Sequence, residues 1–148
     1  MTATTTTTGS GLEQLRDIFS GAAGYEGIVK TLNIRPVELE AGRVVFEGTP
    51  NASVYNPLGT VHGGYAATLL DSALGCAVHS MLDATQGYTT LELKIAYHRA
   101  LTKDSGTVRA EGNVVSIGRR AAFAEGRLID SNGRLCASAT STLLVFDR

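Results

Sequence analysis

His62-Gly63-Gly64-Tyr65-Ala66-Ala67-Thr68-Leu69-Leu70-Asp71-Ser72-Ala73-Leu74-Gly75-Cys76-Ala77-Val78-His79-Ser80-Met81-Leu82 is the run of residues on which the fold turns. It is apolar on nearly every side and rich in Ala and Gly, the pattern of a helix enclosed by protein. Gly64 to Leu82 approaches membrane-spanning length, but an ionised Asp71 near its middle would be costly in lipid, so the stretch predicts a buried central helix over about residues 62–82. The pattern then changes: Leu91, Leu93, Ile95 and Tyr97 alternate with Thr90, Glu92, Lys94 and Ala96, a strand period. Strands are also expected near residues 105–117, 120–130 and 134–146. They are joined by Gly118-Arg119 and by Asp130-Ser131-Asn132-Gly133, whose Asn-Gly is a strong hairpin signal.

On the other side of the helix, residues 51–60 collect Asn, Pro and Gly, which turn chains rather than extend ladders. Thr31 to Thr49 reads as a hairpin about Ala41-Gly42, carrying Val44 and Phe46. Ser10 and Glu13 make a capping box ahead of Leu12, Leu15, Ile18 and Phe19, so a short amphipathic helix starts there. The Thr4 to Thr8 run reads as part of a disordered tail over residues 1–10, leaving 11–148 as a single domain. The fold class expected is α+β: a curved antiparallel sheet of five or six strands wrapped around one long helix, its last four strands an antiparallel meander. Such a sheet leaves an edge strand, and pairing with a second subunit covers it, so a homodimer is expected.

Composition narrows the function classes. A chain of 148 residues has room for one core, and 43% apolar residues against 18% charged ones make it globular. Thirteen Lys and Arg against fourteen Asp and Glu leave a net charge of −1, too balanced for a nucleic-acid-binding field. No nucleic acid and no membrane partner is expected. Cys76 and Cys136 are far apart and outside any Cys/His cluster, which argues against zinc and against a disulfide framework. With no basic patch and apolar stretch at the start, a reduced, cytoplasmic protein is expected.

The chemistry concentrates at the helix and the loop before it. Backbone donors at a helix N-terminus lack intrahelical acceptors, so Gly63 and Gly64 either present an oxyanion-binding amide or merely allow tight packing. Asp71 is either a carboxylate satisfied by neighbouring hydroxyls or a nucleophile or base whose burial would raise its pKa. His62 is a packing and hydrogen-bonding residue or a base. Asp71 follows His62 by nine residues, which places them about 180° apart around the helix and about 13.5 Å apart along it. One helix therefore cannot make a dyad of them. If both serve one site, it joins the helix start of one subunit to Asp71 of another.

Asn56 to Asp71, with His-Gly-Gly and the acid nine residues after the His, resembles the PaaI-type (phenylacetate-degradation) branch of the hotdog-fold acyl-CoA thioesterases. The resemblance runs from about residue 25 to 146. It includes Gly-Arg-Arg-Ala-Ala-Phe-Ala-Glu at 118–125 and Ala-Ser-Ala-Thr-Ser-Thr-Leu-Leu-Val at 137–145. It implies a thioester hydrolase with its site at a dimer interface, the dimers paired as a homotetramer. On this likeness Asn56 orients the thioester or water, the Gly63 amide polarises the thioester carbonyl with Gly64 beside it, and His62 holds the helix entry. Asp71 of the other subunit is general base or nucleophile, assisted by Thr90, with Thr89 as the alternative. An Asp rather than Glu at 71 points away from the menaquinone-pathway enzymes.

Acyl-coenzyme A is then the expected partner, and its phosphates need cations: Arg99, Arg119 and Arg120 are the candidates, against the reading of ordinary solvated turns. Tyr55, Leu58, Tyr65 and Met81 either line an acyl pocket or belong to the core. No Walker or dinucleotide loop and no metal-ligand spacing is present, so no cofactor is expected beyond the coenzyme A of the substrate. An enoyl-CoA hydratase-like enzyme and a non-catalytic acyl-CoA binder of the same fold stand as the alternatives.

Overall fold

The computed structural model describes residues 10–20 and 26–148. Apart from Ser10, the tail expected over residues 1–10 lies outside the described residues. Helix α1 (Gly11–Phe19) begins where the capping box places it. Ser10 Oγ accepts the Glu13 amide at 3.4 Å, and Glu13 Oε2 accepts the Ser10 amide at 3.3 Å, so two donors without helical partners are satisfied reciprocally. The helix buries Leu15 and Gln14. His79 Nε2 donates to Gln14 Oε1 at 2.9 Å, and the Gly11 amide donates to the Leu82 carbonyl at 2.8 Å, seating α1 on the far end of the central helix. A short α2 (Ile28–Thr31), which the sequence pattern does not flag, leads into the hairpin β1 (Ile34–Glu40) and β2 (Arg43–Gly48).

Helix α3 (Gly63–His79) is the central helix. It stops short of Leu82 because Ser80 closes it: the Ser80 hydroxyl donates to the Ala77 carbonyl at 2.6 Å and accepts the Gly42 amide at 2.8 Å. Leu69, Leu70, Ala73, Leu74, Ala77 and Val78 are fully enclosed. The remaining strands are β3 (Gln86–Tyr97), β4 (Val108–Ile117), β5 (Ala121–Ile129) and β6 (Leu135–Asp147). All six pair antiparallel in the order β1-β2-β4-β5-β6-β3.

The sheet can close on α3 because its inner face is small. Ala110, Ala122, Ala124, Ala137 and Ala139 are buried there, and Gly112 of β4 pairs with Gly126 of β5. A Cβ on Gly112 would sit 2.5 Å from the Ala73 carbonyl oxygen, and one on Gly126 the same distance from Leu74 Cδ1. Strand and helix backbones thus meet where no side chain fits.

Two expectations need correction. The last four strands are not one meander: β4, β5 and β6 follow one another, but β3 pairs with β6 at the far side, and β4 takes β2 as its other neighbour. Residues 98–107 are too long for a hairpin turn and carry a 3₁₀ turn at Lys103–Ser105, so the chain crosses over instead. The alternation through Leu91 also breaks. The β3 register slips between Thr90 and Glu92, leaving Leu91 as a bulge 60% exposed to solvent. Thr90 stands opposite the buried Leu143, and Leu93 opposite the buried Ser141, so Thr90 joins the helix-facing side.

β3 carries no strand on its outer side among the described residues. No described helix is long and apolar enough to cross a membrane.

Candidate active site

The loop before α3 is built on Asn56. Its Oδ1 accepts the Leu58 amide at 3.0 Å and the Thr60 amide at 3.2 Å, and its Nδ2 donates to Thr60 Oγ1 at 2.9 Å. Within one subunit the Asn56 side chain closes its own turn, and Gly59, at φ +91°, completes it. His62 then caps the helix: its Nδ1 accepts the Gly64 amide at 2.8 Å. The two glycines consequently differ. Gly64 gives its N–H to His62, whereas the Gly63 amide, at the first helical position, has no acceptor among the described residues. Gly63 is the glycine whose amide remains for a ligand, with the positive end of the α3 dipole behind it.

Beside that amide lies a cleft of about 280 Å³, bordered by His62, Gly63, Ala66, Tyr97, Arg99 and Cys136 among others. A larger depression of about 500 Å³ on the outer side of the sheet, near Lys94, Glu125 and Arg127, touches none of the helix-start residues. Of the two, only the smaller cleft borders the Gly63 amide.

Asp71 is half-buried, and Thr90 Oγ1 donates to its Oδ1 at 2.9 Å. Thr89 is exposed, so the structure gives the contact to Thr90. A hydroxyl donor to a carboxylate is a charge-assisted hydrogen bond that fixes one oxygen and leaves the other to act. Five residues further along α3, burial and then the Asp71 charge push the Cys76 thiol up to about 12, so it stays protonated. Cys76 and Cys136 are both buried and unpaired.

Asp71 does not border the Gly63 cleft, as helical geometry requires of groups at separate stations on one helix. The cations divide similarly: Arg99 borders the cleft, while Arg119 and Arg120 border a depression of about 490 Å³ with Gln86 and Phe146, at the other end of β3. Of the candidate acyl-lining residues, Tyr65 is core and burial pushes its phenol up to about 12. Tyr55 accepts the Lys103 amide at 2.7 Å. Leu58 and Met81 are exposed, at 92% and 46%, and are neither core nor cleft.

Sequence reasoning missed Tyr97. Its hydroxyl donates to the Gly63 carbonyl at 2.7 Å, and its ring lies against the Gly63 Cα. The only signal was its place in the β3 alternation, which reads as packing. No group of His, Cys, Asp and Glu able to hold a metal ion occurs among the described residues.

Residues 58–137 match the family described as the thioesterase superfamily. The proofreading thioesterase EntH of Klebsiella pneumoniae is 31% identical over 79% of this chain and 84% of its own. The 1,4-dihydroxy-2-naphthoyl-CoA hydrolase of Listeria monocytogenes is 26% identical over 80% and 95%. Among solved structures, a mutant of the phenylacetic acid degradation protein PaaI from Thermus thermophilus superposes with a TM-score of 0.73 at 27% identity, covering 80% of this chain and 98% of that one.

Proposed function

The chain belongs to the thioesterase superfamily, as a PaaI-type hotdog thioesterase, and from that premise we propose that it hydrolyses an aryl- or arylacetyl-CoA to the free acid and coenzyme A. The observation that carries the reading is the bond between Asp71 of α3 and Thr90 of the free edge strand, with the unpaired Gly63 amide of α3 lying against Tyr97 at the far end of that strand. The Gly63 amide donates to the thioester oxygen as negative charge develops there. Asp71 either takes the proton of an attacking water or attacks the carbonyl itself. The coenzyme A thiol leaves with a proton. The aromatic class of acid is supported only by likeness: one relative's substrate is by name a naphthoyl thioester, although Asp71 sets this chain apart from enzymes of that pathway.

A homodimer through β3 assembles these parts. Antiparallel pairing with a twofold axis at Lys94 sets Leu93 opposite Ile95 of the second copy, an apolar pair of the kind that stabilises strand neighbours, and places the two Lys94 side chains opposite each other, their repulsion offset by Glu92 of each copy on the diagonal. Because Leu91 is bulged out, the next matched pair is Thr90 with Tyr97. Asp71 of one copy thereby approaches Gly63 of the other, and Arg119 and Arg120 of the first approach Arg99 of the second, a cationic rim for coenzyme A phosphates. Phe123, Leu144 and Phe146 stand exposed on the face turned from α3, a surface suited to pairing dimers into a homotetramer. Two buried, unpaired thiols suit a reducing, cytoplasmic setting.

Thiol release from a panel of aromatic and aliphatic acyl-CoAs tests the proposal directly. Asp71→Asn is expected to lose about 10²- to 10⁴-fold in turnover with its circular dichroism and melting unchanged, the usual range for a general base. A folded Asp71→Asn protein within a few-fold of wild type would overturn the assignment. Water addition to an enoyl-CoA, or binding without turnover, would move the protein to another activity on the same fold.

A further inference from the structure

We propose that Tyr97 is a positioning residue that fixes the orientation of the Gly63 amide, an inference resting on the hydrolytic reading above. The argument begins with the cost of a glycine at 63. A Cβ there would lie 3.0 Å from the Tyr97 hydroxyl oxygen and 3.2 Å from Cζ of its ring, tighter than ordinary contacts, so the residue under the ring is a glycine. Glycine has the widest backbone freedom of any residue, and at the first position of a helix its N–H is held by no helical bond. An amide meant to meet a developing oxyanion gains most when it is already aimed, because a misplacement of about 1 Å costs on the order of 10²-fold.

The peptide joining Gly63 to Gly64 is held at both of its polar atoms. Tyr97 Oη donates to the Gly63 carbonyl at 2.7 Å, and the Gly64 amide donates to His62 Nδ1 at 2.8 Å. With both of its polar atoms bonded, this plane is held in place, and it meets the plane that carries the Gly63 N–H at a single Cα, so the Gly63 amide swings against a fixed neighbour rather than a free one. His62 sits on the helix itself and can only hold the plane locally. Tyr97 sits on β3 and ties the plane to the edge strand that also carries Thr90. The same strand therefore aligns the acid at one end and the amide at the other.

Tyr97→Phe keeps the ring over Gly63 and removes only the hydroxyl. Turnover on the best acyl-CoA substrate is expected to fall about ten- to a hundredfold, with KM within about twofold and the melting temperature unchanged. Amide hydrogen exchange and nitrogen chemical shifts of Gly63 and Gly64, read by NMR, are expected to shift toward a faster, averaged state, while the rest of α3 stays as in wild type. A Tyr97→Phe protein with wild-type kcat overturns the proposal even where Asp71→Asn is inactive. If wild type releases no thiol from any substrate, the hydrolytic reading fails, and the NMR measurement decides this inference alone: unchanged Gly63 and Gly64 signals sink it.

Discussion

Thr90 reaches Asp71 through a defect in a strand. Regular alternation would put Thr90 on the face opposite Leu91 and Leu93, away from α3; the bulge at Leu91 shifts the phase by one, so Tyr88 and Thr90 face inward before it and Leu93 and Ile95 after it. This is why the likeness to the family, which points to Thr90, left Thr89 open as the alternative. A bulge is set by strand pairing across the sheet, here by Thr142 and Leu143 of β6 and by the Ser141 hydroxyl, which donates to the Glu92 carbonyl at 2.8 Å. Thr90→Val keeps the shape and removes the donor to the carboxylate. A hydrogen bond to a charged group contributes about 1.5–3 kcal/mol, so a loss of about ten- to a hundredfold in kcat is expected. Thr89→Val, on the outer face, is expected to stay within about twofold. Steady-state thiol release distinguishes them, and equal losses from both variants would remove the hydroxyl from the mechanism. The holding role of His62 came from the likeness to the family; its residue type left packing, hydrogen bonding and a base open, and the bond from the Gly64 amide to its Nδ1 is the hydrogen-bonding one.

At the scale of elements, the helix and the hairpins were legible because their determinants are near in sequence. Ser10 with Glu13, Gly42 at φ +80° and Gly133 at φ +78° each act within a few residues. Strand order was not legible, because the neighbour of β3 depends on which edge is left after β2 and β4 pair across the fold. The unpaired side of β3 then gives the pairing proposed above a sharp test. Residues directly opposite across an antiparallel pair have Cβ atoms about 4.5–5.5 Å apart, close to disulfide range. Lys94→Cys is expected to link to its own copy under mild oxidation and to run as a covalent dimer without reductant. Glu92→Cys lies two positions from the axis, about 13 Å from its own copy, and is expected to stay monomeric on the same gel. The native thiols are buried and do not compete. Cross-linking by Glu92→Cys alone would place the axis elsewhere and separate Asp71 from the Gly63 amide.

For the whole molecule, the proposed site is one whose two halves lie on a single chain that cannot join them. Nine residues of helix separate the acid from the capping His, so the distance is built into the sequence and was legible there; what supplies the other half is not. Two lesions can therefore be combined so that each repairs the other. Gly63→Val blocks the amide position with a side chain that meets the Tyr97 ring, and Asp71→Asn leaves that position open without its acid. Each homodimer carries one lesion in both sites and is expected to be nearly inactive. A mixed dimer places both lesions in one site and leaves the other intact. When the two variants are unfolded together and refolded, random pairing makes about half the dimers mixed, each with one working site of two, so activity is expected to rise to about a quarter of wild type. Native mass spectrometry counts the mixed dimers in the same sample. If they form in that proportion while thiol release stays at the level of the parents, Asp71 works with the helix start of its own chain or not at all, and the shared site is lost with the dimer geometry that supports it.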